Sequence, residues 1–190
     1  MSYGQLHTHC QGLALHVRRN SIRDKVLEIT GTERVSVVRT TLDVDCCRGF
    51  FLSARNTTHR LVQQFGTHLI VLARGLPPEW ERFVYVKELM HLFDDPAEAA
   101  DTGETFERVL NELGLPGERN WSPQMISELN CFWMALGAFC PETERVKFAT
   151  EREKGQSDDY AVSLKLKIPQ PYVRYLFEDR FLPIMEELRR

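Results

Sequence analysis

Apolar positions in the first forty residues recur at helical spacing. Leu6, Leu13 and Val17, then Ile22, Val26 and Ile29, predict two short helices, the second stopped by Gly31. Two compact apolar runs follow and read as strands: Phe50-Phe51-Leu52 after Gly49, and His68-Leu69-Ile70-Val71-Leu72 after Gly66-Thr67. Asn56-Thr57-Thr58 falls in their connection, which is too long for a tight hairpin. Gly75-Leu76-Pro77-Pro78 then punctuates the chain. A helix opens near Glu79 and runs to Phe93, because Pro96 forbids a clean continuation.

Each residue of that helix advances about 100° around its axis. Phe83, Val86, Leu89, Met90 and Phe93 therefore share one side, while Lys87, Glu88, His91, Asp94 and Asp95 gather on the other. From Asp94 to Glu112 seven acidic residues stand against one basic residue, Arg108, the pattern of a solvated face with a loop. Leu115-Pro116-Gly117 marks another break. Ser122 caps a helix whose first turn holds Pro123, which carries Ile126, Leu129, Trp133 and Leu136 inward and which ends near Pro141. A charged helix follows to Lys154, then a loop over Gly155 to Asp159. Two more helical segments are separated by Ile168-Pro169-Gln170-Pro171, and Pro183 interrupts the last. A small early sheet and late helices predict an α+β fold in one domain over 1–190, with no internal repeat.

Composition narrows the classes. Among 190 residues, 43% are hydrophobic and 27% charged, which excludes disordered and fibrous chains. A chain of this size buries enough surface to fold without a metal or disulfide. The formal net charge of -3 argues against general nucleic-acid binding, and Lys165, Lys167 and Arg174 are too few to make a DNA-binding surface. No apolar run approaches the roughly 18 residues of a membrane span. Met1 to Cys10 lacks the apolar core of a secretory signal. Five cysteines, with Cys46 and Cys47 adjacent, fit free thiols in the cytoplasm, and that pair is expected to be buried. Trp80, Trp121 and Trp133 read as core or pocket lining. His7, His9, Cys10 and His16 form a weak metal-binding candidate near the start. No glycine-rich phosphate loop and no recognisable Ser/His/Asp arrangement is present.

The strongest chemical signal is Lys87-Glu88-Leu89-Met90-His91. It is the H-E-x-x-H helix motif of zinc peptidases with lysine in the first position. In the intact motif two histidines four apart bind zinc and the glutamate is general base. The flanks sharpen it: Glu81-Arg82-Phe83-Val84 precedes and Leu92-Phe93 follows. The segment resembles the R-F-x-x-A-H-E-L-G-H stretch of the ImmA/IrrE family of small bacterial and phage metallopeptidases. Arg48-Gly49-Phe50-Phe51 and the His68 to Leu72 run match that family's two strands before the helix. Glu128 through Leu136, continuing to Phe139-Cys140-Pro141, matches its second helix. Ala161 through Pro169 to Leu176 is similar to its last helix pair, of helix-turn-helix appearance.

The resemblance covers roughly 45–180 and implies a zincin-like core over 45–150, with a C-terminal helical segment over 158–190. It assigns Glu88 the general-base position, and His91 and Glu128 two metal-ligand positions. Lys87 stands where the first ligand histidine belongs. An ammonium has no lone pair to donate, and lysine is not a usual zinc ligand. The expectation is thus a catalytically degenerate relative with no cofactor, its Lys87 charge replacing the zinc between Glu88 and Glu128. Such a protein would act by binding a protein partner, in the family's pattern a helix-turn-helix regulator in a phage or mobile-element setting. The alternative is an active zinc metallopeptidase with a rearranged ligand set, in which Asp94, Asp95 or an early histidine supplies the missing donor.

Overall fold

The computed structural model describes residues 3–95, 98, 103–113 and 121–190. The breaks expected at Pro96 and Leu115-Pro116-Gly117 lie outside these residues. The fold is α+β, with a three-stranded sheet and ten α-helices among the described residues.

Helices α1 (Tyr3–Gln11) and α2 (Arg19–Thr30) open the chain, and Gly31 closes α2 in the left-handed conformation at φ 66°. Leu13 and Val17 fall between the two helices rather than on the first; Val17 is still buried. Strands β1 (Val35–Thr40), β2 (Gly49–Leu52) and β3 (His68–Ala73) form a sheet in the order β1-β3-β2. β1 runs parallel to β3, with Val35 opposite His68, and β2 runs antiparallel, with Leu52 opposite Leu69. Two of these strands stand where the apolar runs predict them. β1 is an addition, as is the short helix α3 (Arg60–Phe65) in the connection between β2 and β3.

The central strand β3 is buried on both faces, which is why it reads as a continuous apolar run. Ile70 and Leu72 face the main core, while Leu69 and Val71 join Leu52 and Val62 in a smaller cluster beneath α3. On the main side lie α4 (Pro78–Met90) and α6 (Pro123–Phe139), with α5 (Gly103–Leu113) between them in sequence. Four helices complete the chain: α7 (Glu142–Glu153), α8 (Asp159–Leu166), α9 (Gln170–Val173) and α10 (Phe181–Leu188). Pro183 does not interrupt α10. It sits in the first turn, where no helical partner awaits its missing N–H.

One hydrophobic cluster runs from Tyr3 to Met185 and holds most of the large buried side chains. Trp133 belongs to it, whereas Trp80 and Trp121 are half-buried. Two further expectations fail. Ile126 points outward on α6, with Met125 buried in its place, because the buried stripe starts one residue earlier. Cys46 is exposed and Cys47 half-buried, since both lie on the loop leading into an edge strand. All five cysteines carry free thiols. No described helix is long and apolar enough to cross a membrane.

Candidate functional site

Local sequence fixes the two helices that build the site. Pro77 precedes α4 and Pro78 occupies its first turn, with Glu79 and Glu81 favourably placed at the positive end of the helix dipole. Helix α4 stops at Met90, and the chain tightens into a 3-10 turn over His91–Phe93. That turn carries Asp94 back beneath His91, its N–H bonded to the His91 carbonyl at 3.3 Å. Across the core, the Ser122 hydroxyl caps α6 by accepting the Met125 N–H at 3.2 Å. Ser127, Glu128 and Cys131 then fall on neighbouring positions of the same helical face. Gly49 brings β2 against α4: an added Cβ would meet Val84 Cγ1 at 2.7 Å and the Val71 carbonyl oxygen at 2.8 Å.

Glu88, His91 and Glu128 converge, although forty residues separate the two glutamates in sequence. Their ligand atoms all lie within 4.8 Å of one another. His91 Nε2 stands 3.3 Å from Glu128 Oε1 and 3.5 Å from Glu88 Oε2. Lys87 lies among them, donating from Nζ to Glu88 Oε1 at 3.0 Å and to Glu128 Oε2. Its side chain is 19% exposed, so it is neither sealed in nor waving in solvent. Beside the cluster a cavity of about 290 Å³ opens between the Cys46–Phe50 segment, α4, α6 and Tyr172.

Burial and charge act in opposition here. Burial pushes the Glu88 carboxyl up from the usual carboxylate range, and the Lys87 ammonium offsets this only in part. Burial also acts to raise Glu128, but Lys87 and His91 prevail and hold it well below that range. For Lys87 burial disfavours the ammonium, yet Glu128 and Glu88 outweigh it and the net shift is upward. His91 likewise loses by burial and gains more from Cys131, Glu128 and Asp94, so its imidazolium is favoured.

Glu88, His91 and Glu128 offer one nitrogen and two carboxylates, one histidine short of the two-histidine, one-carboxylate set of a zincin, in which the motif glutamate is the base and not a ligand. Lys87 breaks the fit. Its ammonium bonds to the ligand-position Glu128 and to the base-position Glu88, and it brings no donor electrons. As they stand, these residues do not suit a bound zinc ion.

On the polar side of α4 and the turn after it, Glu88 is 1% exposed and His91 9%. Among the alternative donors, Asp94 does reach His91, with Oδ2 2.6 Å from Nδ1. It addresses the ring nitrogen turned away from Glu88 and Glu128. Ser127 Oγ donates to Asp94 Oδ2 at 2.6 Å and lies 3.2 Å from His91 Nδ1. Serine and aspartate thus share one nitrogen, so the three do not form a nucleophilic triad, which needs them on opposite nitrogens. Cys131 Sγ completes this group, 3.9 Å from Asp94 Oδ1. Motif reading passes over Ser127 and Cys131, since nothing in their spacing announces His91 across the core. His7 and Cys10 near the start are buried core residues, and neither joins a metal-type cluster among the described residues.

Compared with protein-family models, curated proteins and solved structures, the chain matches none.

Proposed function

We propose that this chain is a catalytically degenerate ImmA/IrrE-like protein, a pseudo-metallopeptidase that acts by binding another protein. One observation carries the reading: the Lys87 ammonium lies between Glu88 and Glu128, bonded to both. A cation delivered by the chain itself occupies the place of the dication, so the cluster is neutralised with no water-activating metal. The cavity beside it keeps the shape of a groove without the chemistry. In the setting the motif suggests, the partner is a helix-turn-helix regulator of a phage or mobile element, met in the cytoplasm.

An active enzyme with a rearranged ligand set has one observation in its favour, the approach of Asp94 to His91. Asp94 sits on the Nδ1 side, so a metal held there would be remote from the Glu88 carboxyl that must activate water. The degenerate reading therefore fits the geometry better.

Restoring the missing donor tests it. Lys87→His places histidines four apart on one helical face, and Glu128 then completes three protein ligands. Zinc should bind Lys87→His at least about tenfold more tightly than Lys87→His/Glu128→Gln, the usual cost of a disrupted ligand shell. If Glu128→Gln makes no difference beside Lys87→His, the site is misassigned.

A further inference from the structure

The two nitrogens of His91 serve two different clusters. Nε2 faces Glu128 and Glu88, the group described above. Nδ1 faces Asp94 Oδ2 at 2.6 Å and Ser127 Oγ at 3.2 Å. Cys131 Sγ lies 3.9 Å from Asp94 Oδ1 and 4.0 Å from Ser127 Oγ. An imidazole nitrogen, a carboxylate oxygen and a sulfur are therefore gathered within 4.8 Å of one another. We propose that His91 Nδ1, Asp94 and Cys131 form a binding site for a zinc-like divalent cation, distinct from the Glu88–His91–Glu128 cluster, with the Ser127 hydroxyl at the fourth corner.

The dimensions suit such an ion. Zinc takes N, O and S donors at about 2.0–2.3 Å in a tetrahedron, so neighbouring donors stand roughly 3.3–3.8 Å apart. The separations here, from 2.6 to 4.0 Å, bracket that range. The two shortest, both 2.6 Å, are hydrogen bonds to Asp94 Oδ2: the metal would replace the proton of the His91 bond, and the Ser127 bond would lengthen. Local structure already fixes the donors: His91 and Asp94 span one 3-10 turn, and Ser127 and Cys131 are four apart on α6. Small side-chain rotations suffice.

The charges also balance. Binding displaces two protons, one from Nδ1 of the imidazolium and one from the Cys131 thiol. A dication, one thiolate, one carboxylate and a neutral imidazole sum to zero, the state that burial favours. Nε2–H of His91 then donates to Glu128 Oε1, which stands at 3.3 Å. A ligating histidine ordinarily gives its other ring N–H to such a carboxylate. Thiolate and imidazole select zinc, cobalt or copper over magnesium and calcium. Such an ion would tie the end of α4 to the middle of α6.

Cobalt(II) titration of the chelator-treated full chain tests this. The exposed Cys46 and half-buried Cys47 are first replaced by serine so that they supply no sulfur. One equivalent of cobalt should bind, with tetrahedral visible bands and a thiolate-to-cobalt charge-transfer band, both erased by zinc. Cys131→Ser should remove the charge-transfer band. Asp94→Asn, nearly isosteric and so a safer substitution for folding, should weaken cobalt binding at least about tenfold. Lys87→Met and Glu128→Gln should keep the thiolate band, which separates this site from the neighbouring cluster. Absence of the band in the parent, its survival in Cys131→Ser, or unchanged affinity in Asp94→Asn would each overturn the proposal.

Discussion

Lys87 shows how far one residue can redirect a site. Breaking a buried ion pair by removing one partner costs about 3–5 kcal/mol, because a charge is left uncompensated. The Lys87 and Glu128 side chains retain 19% and 22% exposure, so Lys87→Met should cost about 3 kcal/mol, the lower end of that range. Urea unfolding measures it, and Lys87→Met/Glu128→Gln should recover part of the loss. A Lys87→Met midpoint equal to the parent's would mean that the ammonium holds nothing together. His91 makes a second, independent prediction. Its folded-state pKa lies above the ordinary value, so the stabilisation from its imidazolium is complete below about pH 6.5 and fades as pH rises through the folded value. In chelator-treated protein the imidazole C–H resonances of His91 should titrate above that pH. Asp94→Asn should lower the midpoint and flatten the loss of stability on the alkaline side. A midpoint at or below 6.5 in the parent would contradict the ion-paired geometry. Of this cluster the sequence exposes Lys87, Glu88 and His91 through a local motif, and Glu128 through a resemblance. Asp94, Ser127 and Cys131 escape it as a group, because their meeting depends on a 3-10 turn and on the rotation of α6, neither of which has a short-range signature.

At the scale of elements, close packing is bought with glycine at Gly49, where β2 meets α4, and at Gly137. A Cβ on Gly137 of α6 would stand 2.6 Å from Met185 Sδ on α10 and 2.6 Å from the Tyr3 hydroxyl on α1. Met185 can yield, being flexible, but Tyr3 is pinned by its hydrogen bond to the Met134 carbonyl at 2.9 Å. Gly137→Ala should therefore destabilise the protein by about 1–3 kcal/mol through overpacking, despite the better helix propensity of alanine. Thermal unfolding checks this, and a gain in stability would show that α1 can move aside. The elements themselves were unevenly legible. β3 stands out because a strand covered on both faces is apolar throughout, and α6 because Ser122-Pro123 announces its start. β1 lies at the sheet edge with mostly half-buried residues, so Val35-Ser36-Val37-Val38-Arg39-Thr40 offers a weaker contrast. The phase of α6 also misleads, since Ile126 is apolar and yet faces outward.

Across the whole molecule, Arg82 joins parts of the chain that are far apart in sequence. Its guanidinium donates to the Leu166 carbonyl at 2.8 Å, to the Lys167 carbonyl at 2.7 Å and to the Val17 carbonyl. The same group lies 4.0 Å from the centre of the Phe139 ring. One side chain on α4 thus meets the loop after α1, the end of α6 and the turn after α8. Lys167 occupies that turn in the left-handed region at φ 54°, which presents both neighbouring carbonyls to the guanidinium. Burial pushes the Arg82 pKa down to about 10, still high enough to keep it charged at neutral pH. Hydrogen bonds to a charged group contribute roughly 1.5–3 kcal/mol, and removing the donor leaves carbonyls unpaired. Arg82→Met retains much of the apolar stem and loses the donors, so it should cost about 2–4 kcal/mol on that scale. Because the core cluster runs without interruption from Tyr3 to Met185, the C-terminal helices should still unfold together with the sheet. Fluorescence and far-ultraviolet dichroism of Arg82→Met should therefore give coincident urea transitions at a lower midpoint. Hydrogen exchange should accelerate at the amides of 159–168 and 13–18 in the same variant. Two separated transitions would mean instead that the C-terminal helices are an independent unit, fastened to the rest of the molecule chiefly by this one arginine.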